Sequence, residues 1–284
     1  MNEHHEHKSG SIFKICAYFF CIILSVLSIL PFWVMFMNGT RSTPEIQQQA
    51  FSLLPSVNLM NNLNILLVGK SFDPWVGFVN SLTISTFATL CAVYFSSLTA
   101  YALVAYRWKL QKGFFAFIIA VMMIPAQVTT IGFYQFMWSV GMTNSFLPLI
   151  IPAVASPAIV FFMRQYLYAT LSIDIVNSGR IDGAGEFHIF NKIIIPIMKP
   201  AIATQAIFVF VATWNNFFLP LVLLTDSKKY TMPIMVSLLR GDTYRTEFGT
   251  VYLALSLSVL PLFVMYFTLS RYIIAGVALG GVKE

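Results

Sequence analysis

Five long stretches without a single charged side chain limit what this chain can fold into. Residues 15–40, 74–106, 113–163, 200–225 and 248–270 contain no Asp, Glu, Lys or Arg over 26, 33, 51, 26 and 23 residues. A helix needs roughly 20 apolar residues to cross about 30 Å of hydrocarbon, so each run is long enough for a membrane span. The 51-residue run is too long for one helix. It divides at Ser139-Val140-Gly141-Met142-Thr143-Asn144-Ser145, which has turn chemistry. The expectation is an all-α membrane protein with six transmembrane helices, at about 15–37, 77–104, 114–137, 146–168, 201–224 and 249–272. Residues 1–14 form an N-terminal tail and 15–284 one transmembrane domain. Composition agrees: 58% of the residues are hydrophobic and 10% are charged, against about 25% charged in soluble domains.

The formal charge of +6 does not point to nucleic acid, because the basic residues sit in short segments between apolar runs, where they orient helices. With the N-terminus inside, inner segments hold 11 and outer segments 6 of the 17 Lys and Arg. Both termini are therefore expected to be cytoplasmic, in a multi-pass protein of the cell membrane. Cys16, Cys21 and Cys91 all lie inside apolar runs, which gives no disulfide framework. Lys14 is followed by an uncharged run longer than a signal core, with no Ala-x-Ala site after it, so the first span reads as retained. Glu3-His4-His5-Glu6-His7 reads as a disordered cytoplasmic tail before it reads as a metal site. No GxxxxGK[ST] phosphate loop is present. The spans hold no paired Asp, Ser/His pair or HExxH, which argues against an intramembrane enzyme, and no acid at a span centre, which argues against an ion-coupled carrier.

Segment 169–199, on the inner side, is the most informative. Ser172 stands where it can cap a short helix, with Asp174 in the first turn. Gly183 and Gly185 interrupt that helix, a further turn or two run to Lys192, and Pro196 and Pro200 set up the fifth span. The helix–kink–helix is apolar at Ile173, Val176, Ile181, Phe187, Ile189 and Phe190. Physics alone leaves two docking surfaces open, the lipid interface and a groove on a partner protein.

The spacing of Gly183, nine residues, then Ile193-x-Ile195-Pro196 resembles the cytoplasmic "EAA" loop of ATP-binding-cassette importer permeases. Arg180-Ile181-Asp182-Gly183-Ala184 resembles its carbohydrate branch, the relatives of the smaller maltose permease subunit. Phe78-Val79-Asn80-Ser81-Leu82, Thr99-Ala100-Tyr101-Ala102-Leu103, Met123-Ile124-Pro125-Ala126-Gln127-Val128, Trp214-Asn215-Asn216-Phe217 and the tail from Arg271 to Lys283 are similar to that family in the same order. The family's Glu-Ala-Ala is replaced by Asn177-Ser178-Gly179, which removes the charge that would meet the ATPase.

The resemblance implies that 173–190 docks in a cleft of a separate ATPase, through Asn177, Arg180, Asp182, Gly183, Ala184, Gly185, Glu186 and Phe187. It implies a homologous second permease, two copies of that cytoplasmic ATPase and an extracytoplasmic sugar-binding protein. ATP and Mg are used by the ATPase, and this chain binds no cofactor. The cargo implied is a sugar, with an oligosaccharide favoured; a polyol, sugar phosphate or amino acid is the alternative and an ion-coupled carrier the remote one.

A sugar pathway needs neutral amides and hydroxyls with aromatic faces. Trp214, Asn215 and Asn216, and Gln127 and Gln135, are candidates to line it, with Gln205, Thr213, Thr129, Thr130, Tyr134 and Asn144 nearby in sequence. The same amides suit bonding between helices equally well.

Overall fold

The computed structural model describes residues 3–68, 73–239 and 246–281, and side chains over 14–68, 73–125, 128–239 and 246–268. Among the described residues all regular structure is helical. In chain order the helices are α1 (Glu3–Asn38), α2 (Thr43–Gln48), α3 (Leu59–Val68), α4 (Pro74–Ala105), α5 (Gln111–Met122), α6 (Ala126–Ser139), α7 (Leu147–Ile150), α8 (Pro157–Thr170), α9 (Ile173–Ile181), α10 (Glu186–Ile189), α11 (Ile195–Trp214), α12 (Phe218–Leu223), α13 (Met232–Leu238) and α14 (Phe248–Gly281). Because α1 starts at Glu3, the tail expected to be disordered continues the helix of the first span. The side chains of the His-rich cluster lie outside those described.

Among the described residues, five stretches are long and apolar enough to cross a membrane: Lys14–Asn38, Pro74–Ala105, Leu147–Thr170, Glu186–Trp214 and Phe248–Thr268. The expected span at 114–137 is not one helix. It breaks between α5 and α6 at Met123-Ile124-Pro125, because Pro125 lacks an N–H and disfavours helical geometry in the residue before it. The expected span at 201–224 is displaced towards its N-terminus. A continuous helix begins at Glu186 and passes through a π-helical segment, Phe190–Ile194, into α11. Pro196 comes two residues after the end of that segment, and the wider turn provides room for its ring.

Two compact units emerge, each with its own packing. The first comprises Met1–Asp73 and Val236–Val259. Its centre is a polar knot after α1. Buried Arg41 donates to Asn38 Oδ1 (3.1 Å) and to the carbonyls of Gln49 (2.6 Å) and Glu45 (3.0 Å). Glu45 accepts from the backbone N–H and hydroxyl of Ser42, the Ser56 hydroxyl and the Asn58 amide. Asn62 donates to the carbonyls of Gly39 and Arg41, both at 2.9 Å.

The second unit comprises Pro74–Met235 and Leu260–Glu284. Its core is α4 packed on α8 and α11, with α5 against α8. The buried face of α4 carries Ser81, Ser85, Ala88, Thr89, Ala92, Ser96 and Ala100. These small side chains let neighbouring backbones approach closely, which drives helix association where water supplies no hydrophobic force. The hydroxyls of Ser85, Thr89 and Ser96 are buried without hydrogen-bond partners, so they act here as small groups.

Candidate functional site

The bent segment at 173–190 is built by a helix terminator. α9 ends at Ile181, with Asp182 as its cap. The Gly183 N–H donates to the Arg180 carbonyl (3.1 Å) and the Ala184 N–H to the Gly179 carbonyl (3.0 Å). This is a Schellman motif, whose left-handed residue is ordinarily glycine. Gly183 has φ +78°, and a Cβ there would meet nothing within 4 Å. Its requirement is therefore conformational and not spatial. Gly179 is the spatial glycine, since a Cβ would sit 3.3 Å from Ile189 and 3.4 Å from Ile193. Gly185 is extended and caps α10. The side chain of Ser172 makes no capping bond; its hydroxyl faces the Asp174 carboxylate at 3.4 Å.

The apolar residues of this segment divide into two sets. Val176, Ile189 and Phe190 are buried in the core with Tyr101, Met163, Leu167 and Met198. Ile173, Ile181 and Phe187 are exposed, the last two at 85% and 69%. One side thus anchors the bend and the other offers a greasy edge.

A charge clamp crosses the bend. Arg180 Nε lies 2.6 Å from Glu186 Oε1, Arg180 Nη1 donates to Asn177 Oδ1 (3.3 Å), and the guanidinium is 5.3 Å from the Tyr106 ring centre. Glu186 Oε2 accepts from Tyr101 (3.1 Å) and Tyr106. Burial, more than the Glu186 hydrogen bond, raises the Tyr106 phenol above its ordinary pKa, so it stays a donor. Arg180, Glu186 and Asn177 bond to one another within the chain, and Asn177, Asp182, Glu186 and Phe187 are all exposed. Tyr101 and Tyr106 were missed by sequence reasoning. Their signal was Tyr101 in the Thr99–Leu103 motif, to which no role had been attached.

The second group of expected residues surrounds a break between α11 and α12. Asn216 is half-buried and lines two cavities. One, about 70 Å³, is shared with Ser81, Thr213 and Thr231. The other, about 470 Å³, is shared with Thr129, Thr130, Phe133 and Phe218. Asn216 Oδ1 accepts from the Leu219 N–H at 3.4 Å. Trp214 does not join either lining. It is 2% exposed, stacked on Phe210 and edge-on to Phe78, each at 5.8 Å; its ring fills the core between α4 and α11. Asn215 and Gln135 are exposed and line neither cavity. The Gln127 side chain lies outside those described.

Two further asparagines are staples. Asn144, at φ 55°, accepts on Oδ1 from the N–H groups of Thr225 and Asp226. Asn80 donates to the carbonyls of Lys228 (2.9 Å) and Tyr230 (3.0 Å), while the Ser81 hydroxyl accepts from the Met232 N–H (2.8 Å). The Asn80-Ser81 pair therefore ties segment 228–232 to α4.

A family model described as "Binding-protein-dependent transport system inner membrane component" matches residues 92–278. The arabinooligosaccharides transport system permease protein AraQ of Bacillus subtilis is 30% identical, covering 96% of this chain and 97% of its own length. The lactose transport system permease protein LacG of Rhizobium radiobacter is 29% identical, with 92% and 93% covered. A chain in the crystal structure of a bacterial ABC transporter involved in the import of the acidic polysaccharide alginate has a TM-score of 0.79 at 23% identity, covering 93% of this chain and 98% of that one.

Proposed function

Since the chain belongs to the binding-protein-dependent transport system inner membrane components, we propose that it is the permease subunit of an ATP-binding-cassette importer and forms half of a sugar pathway. The transport of arabinooligosaccharides and lactose by its named relatives supports a sugar cargo. Its task is conformational, not catalytic. Hydrolysis belongs to two copies of a separate ATPase using ATP and Mg. A homologous second permease supplies the other half of the pathway, and an extracytoplasmic binding protein delivers the sugar. Both termini and the bent segment lie on the cytoplasmic side.

The observation that carries this reading is the pair of opposite faces on 173–190. The exposed edge at Ile181 and Phe187 suits a groove on the ATPase. The buried face, with the Arg180–Glu186 clamp held by Tyr101 and Tyr106, makes the bend a rigid handle on the end of α4. Movement of that handle moves α4, which packs against α8 and α11. The handle shifts the pathway between two states only as far as the ATPase binds them unequally. Asn216, at the helix break beside the 470 Å³ cavity, would then bond sugar hydroxyls. Irregular backbone at membrane depth is tolerated where it lines a cavity.

The test replaces Phe187 by Ala in the reconstituted transporter. Loss of an aromatic anchor at an interface costs about 2 kcal/mol, so sugar-stimulated ATP hydrolysis and uptake should fall together by at least about ten-fold. The chain should insert at its normal level. Undiminished uptake would overturn the coupling role.

A further inference from the structure

A cationic cavity that shares only Tyr106 with the clamp has no other place in the coupling scheme. It occupies about 370 Å³ where the end of α4, the start of α5 and the end of α8 meet. Its lining includes Arg107, Lys112 and Arg164 with Tyr106, Phe115 and Tyr168, and holds no carboxylate. The fold holds it open. Gln111 Nε2 donates to the carbonyls of Leu103 (2.6 Å) and Tyr106 (3.0 Å), which pins the turn between α4 and α5.

Arg164 is the key residue. Its guanidinium lies 3.9 Å from the Phe115 ring centre and 5.8 Å from that of Tyr168. One amine, Nη1, donates to Gln165 (2.8 Å). Nε is buried with no hydrogen-bond partner. An unpaired buried N–H on a charged group carries a desolvation penalty that an anionic acceptor would remove. Two more cations on the same lining, with no acid among them, fit an anion bearing several acceptor oxygens.

The surroundings favour a lipid as its carrier. Phe114, Phe117 and Ile119, on the same helix as the lining residue Phe115, are exposed, and these side chains match acyl chains better than water or a polar protein face. Trp108 and Tyr168, also exposed, are ring types enriched at the membrane–water boundary. Basic pockets between helices on the cytoplasmic side hold anionic head groups. We propose that Arg107, Lys112 and Arg164 form a site for the phosphate of an anionic phospholipid, held beside Tyr106 at the root of the clamp. This rests on the membrane orientation given above.

The test is native mass spectrometry of the full chain in detergent, titrated with dioleoyl phosphatidylglycerol or dioleoyl phosphatidylcholine. Phosphatidylglycerol should bind at least about ten-fold more tightly. Arg164→Gln should weaken it about five-fold, the effect expected for one basic side chain at an anionic surface, whereas Arg164→Lys should retain most of it. Lys109→Gln, outside the lining, should change nothing. Equal phosphatidylglycerol affinity in wild type and Arg164→Gln would overturn the site. Displacement of the lipid by millimolar inorganic phosphate would overturn the lipid assignment and leave a free-anion site. Carbonate extraction of membranes, run in parallel, separates the two levels: release of the chain would overturn the membrane reading itself, while retention with equal affinities would overturn only the lipid site.

Discussion

At the scale of single residues, Gly183 separates two reasons for a glycine. Open space surrounds it, but its φ of +78° does not suit side chains. Asn enters this region more readily than other residues, and a β-branched residue pays about 1–2 kcal/mol. Gly183→Asn is therefore expected to keep ATP-coupled uptake within about two-fold, and Gly183→Val to lose about ten-fold, measured in the same reconstituted vesicles. Equal effects would mean that bulk, not backbone, matters. Gly183 was legible in the sequence because a glycine closing a short helix has one common conformational meaning. Gly179 was not legible as a packing residue, since its reason is the approach of Ile189 and Ile193, ten and more positions away. Trp214 misled for a related cause. An aromatic ring serves a sugar or a core equally well, and only its neighbours Phe78 and Phe210 decide.

At the scale of elements, the charge-free runs were legible because the cost of burying charge acts on each residue separately. Interruptions inside a run were not, because they depend on how backbone groups are satisfied. Pro125 breaks the expected third span, whereas Pro196 leaves the helix continuous because its i−4 carbonyl lies in the π-helical segment before it, and Pro200 is carried inside α11. Within segment 38–68, Glu45 organises the chain through contacts up to 13 residues distant. The Ser42 N–H first, then the Ser56 and Ser42 hydroxyls, hold its carboxyl below the ordinary value of 4.5. A carboxylate with a depressed folded pKa contributes stability that is complete above its unfolded pKa. That contribution is lost as pH falls through the folded pKa. Protection factors of the amides over 40–58, corrected for intrinsic exchange at each pH, should therefore be high at neutral pH and fall as acid protonates this carboxylate. Glu45→Gln should exchange faster at neutral pH and lose most of that acid dependence. A wild type equally protected at pH 7 and pH 3 would refute the role given to Glu45.

At the scale of the whole molecule, transport requires a handle that a partner can move and a path that the cargo can enter. The handle was partly legible from its glycines and prolines, but its attachment was not: Glu186 meets Tyr101 and Tyr106 at separations of 85 and 80 residues. The path shows the same contrast, since a local reading favoured Asn215 and Asn216 alike. The break between α11 and α12 exposes Asn215, while Asn216 alone of the two lines the 70 and 470 Å³ cavities. If sugar hydroxyls exchange water for the Asn216 amide there, Asn216→Leu leaves them unpaired in a narrow site. An unpaired buried polar group costs about 1–3 kcal/mol, so uptake should fall by about ten-fold or more. Leu keeps the branching of Asn and its extra volume has room at the 470 Å³ cavity, and the single Leu219 contact at 3.4 Å is weak, so assembly and thermal stability in detergent should change little. Asn215→Leu, at an exposed position, should leave uptake within about two-fold. If the two substitutions lowered uptake equally, or if Asn216→Leu disrupted assembly as strongly as transport, Asn216 would be joining helices and not meeting the cargo.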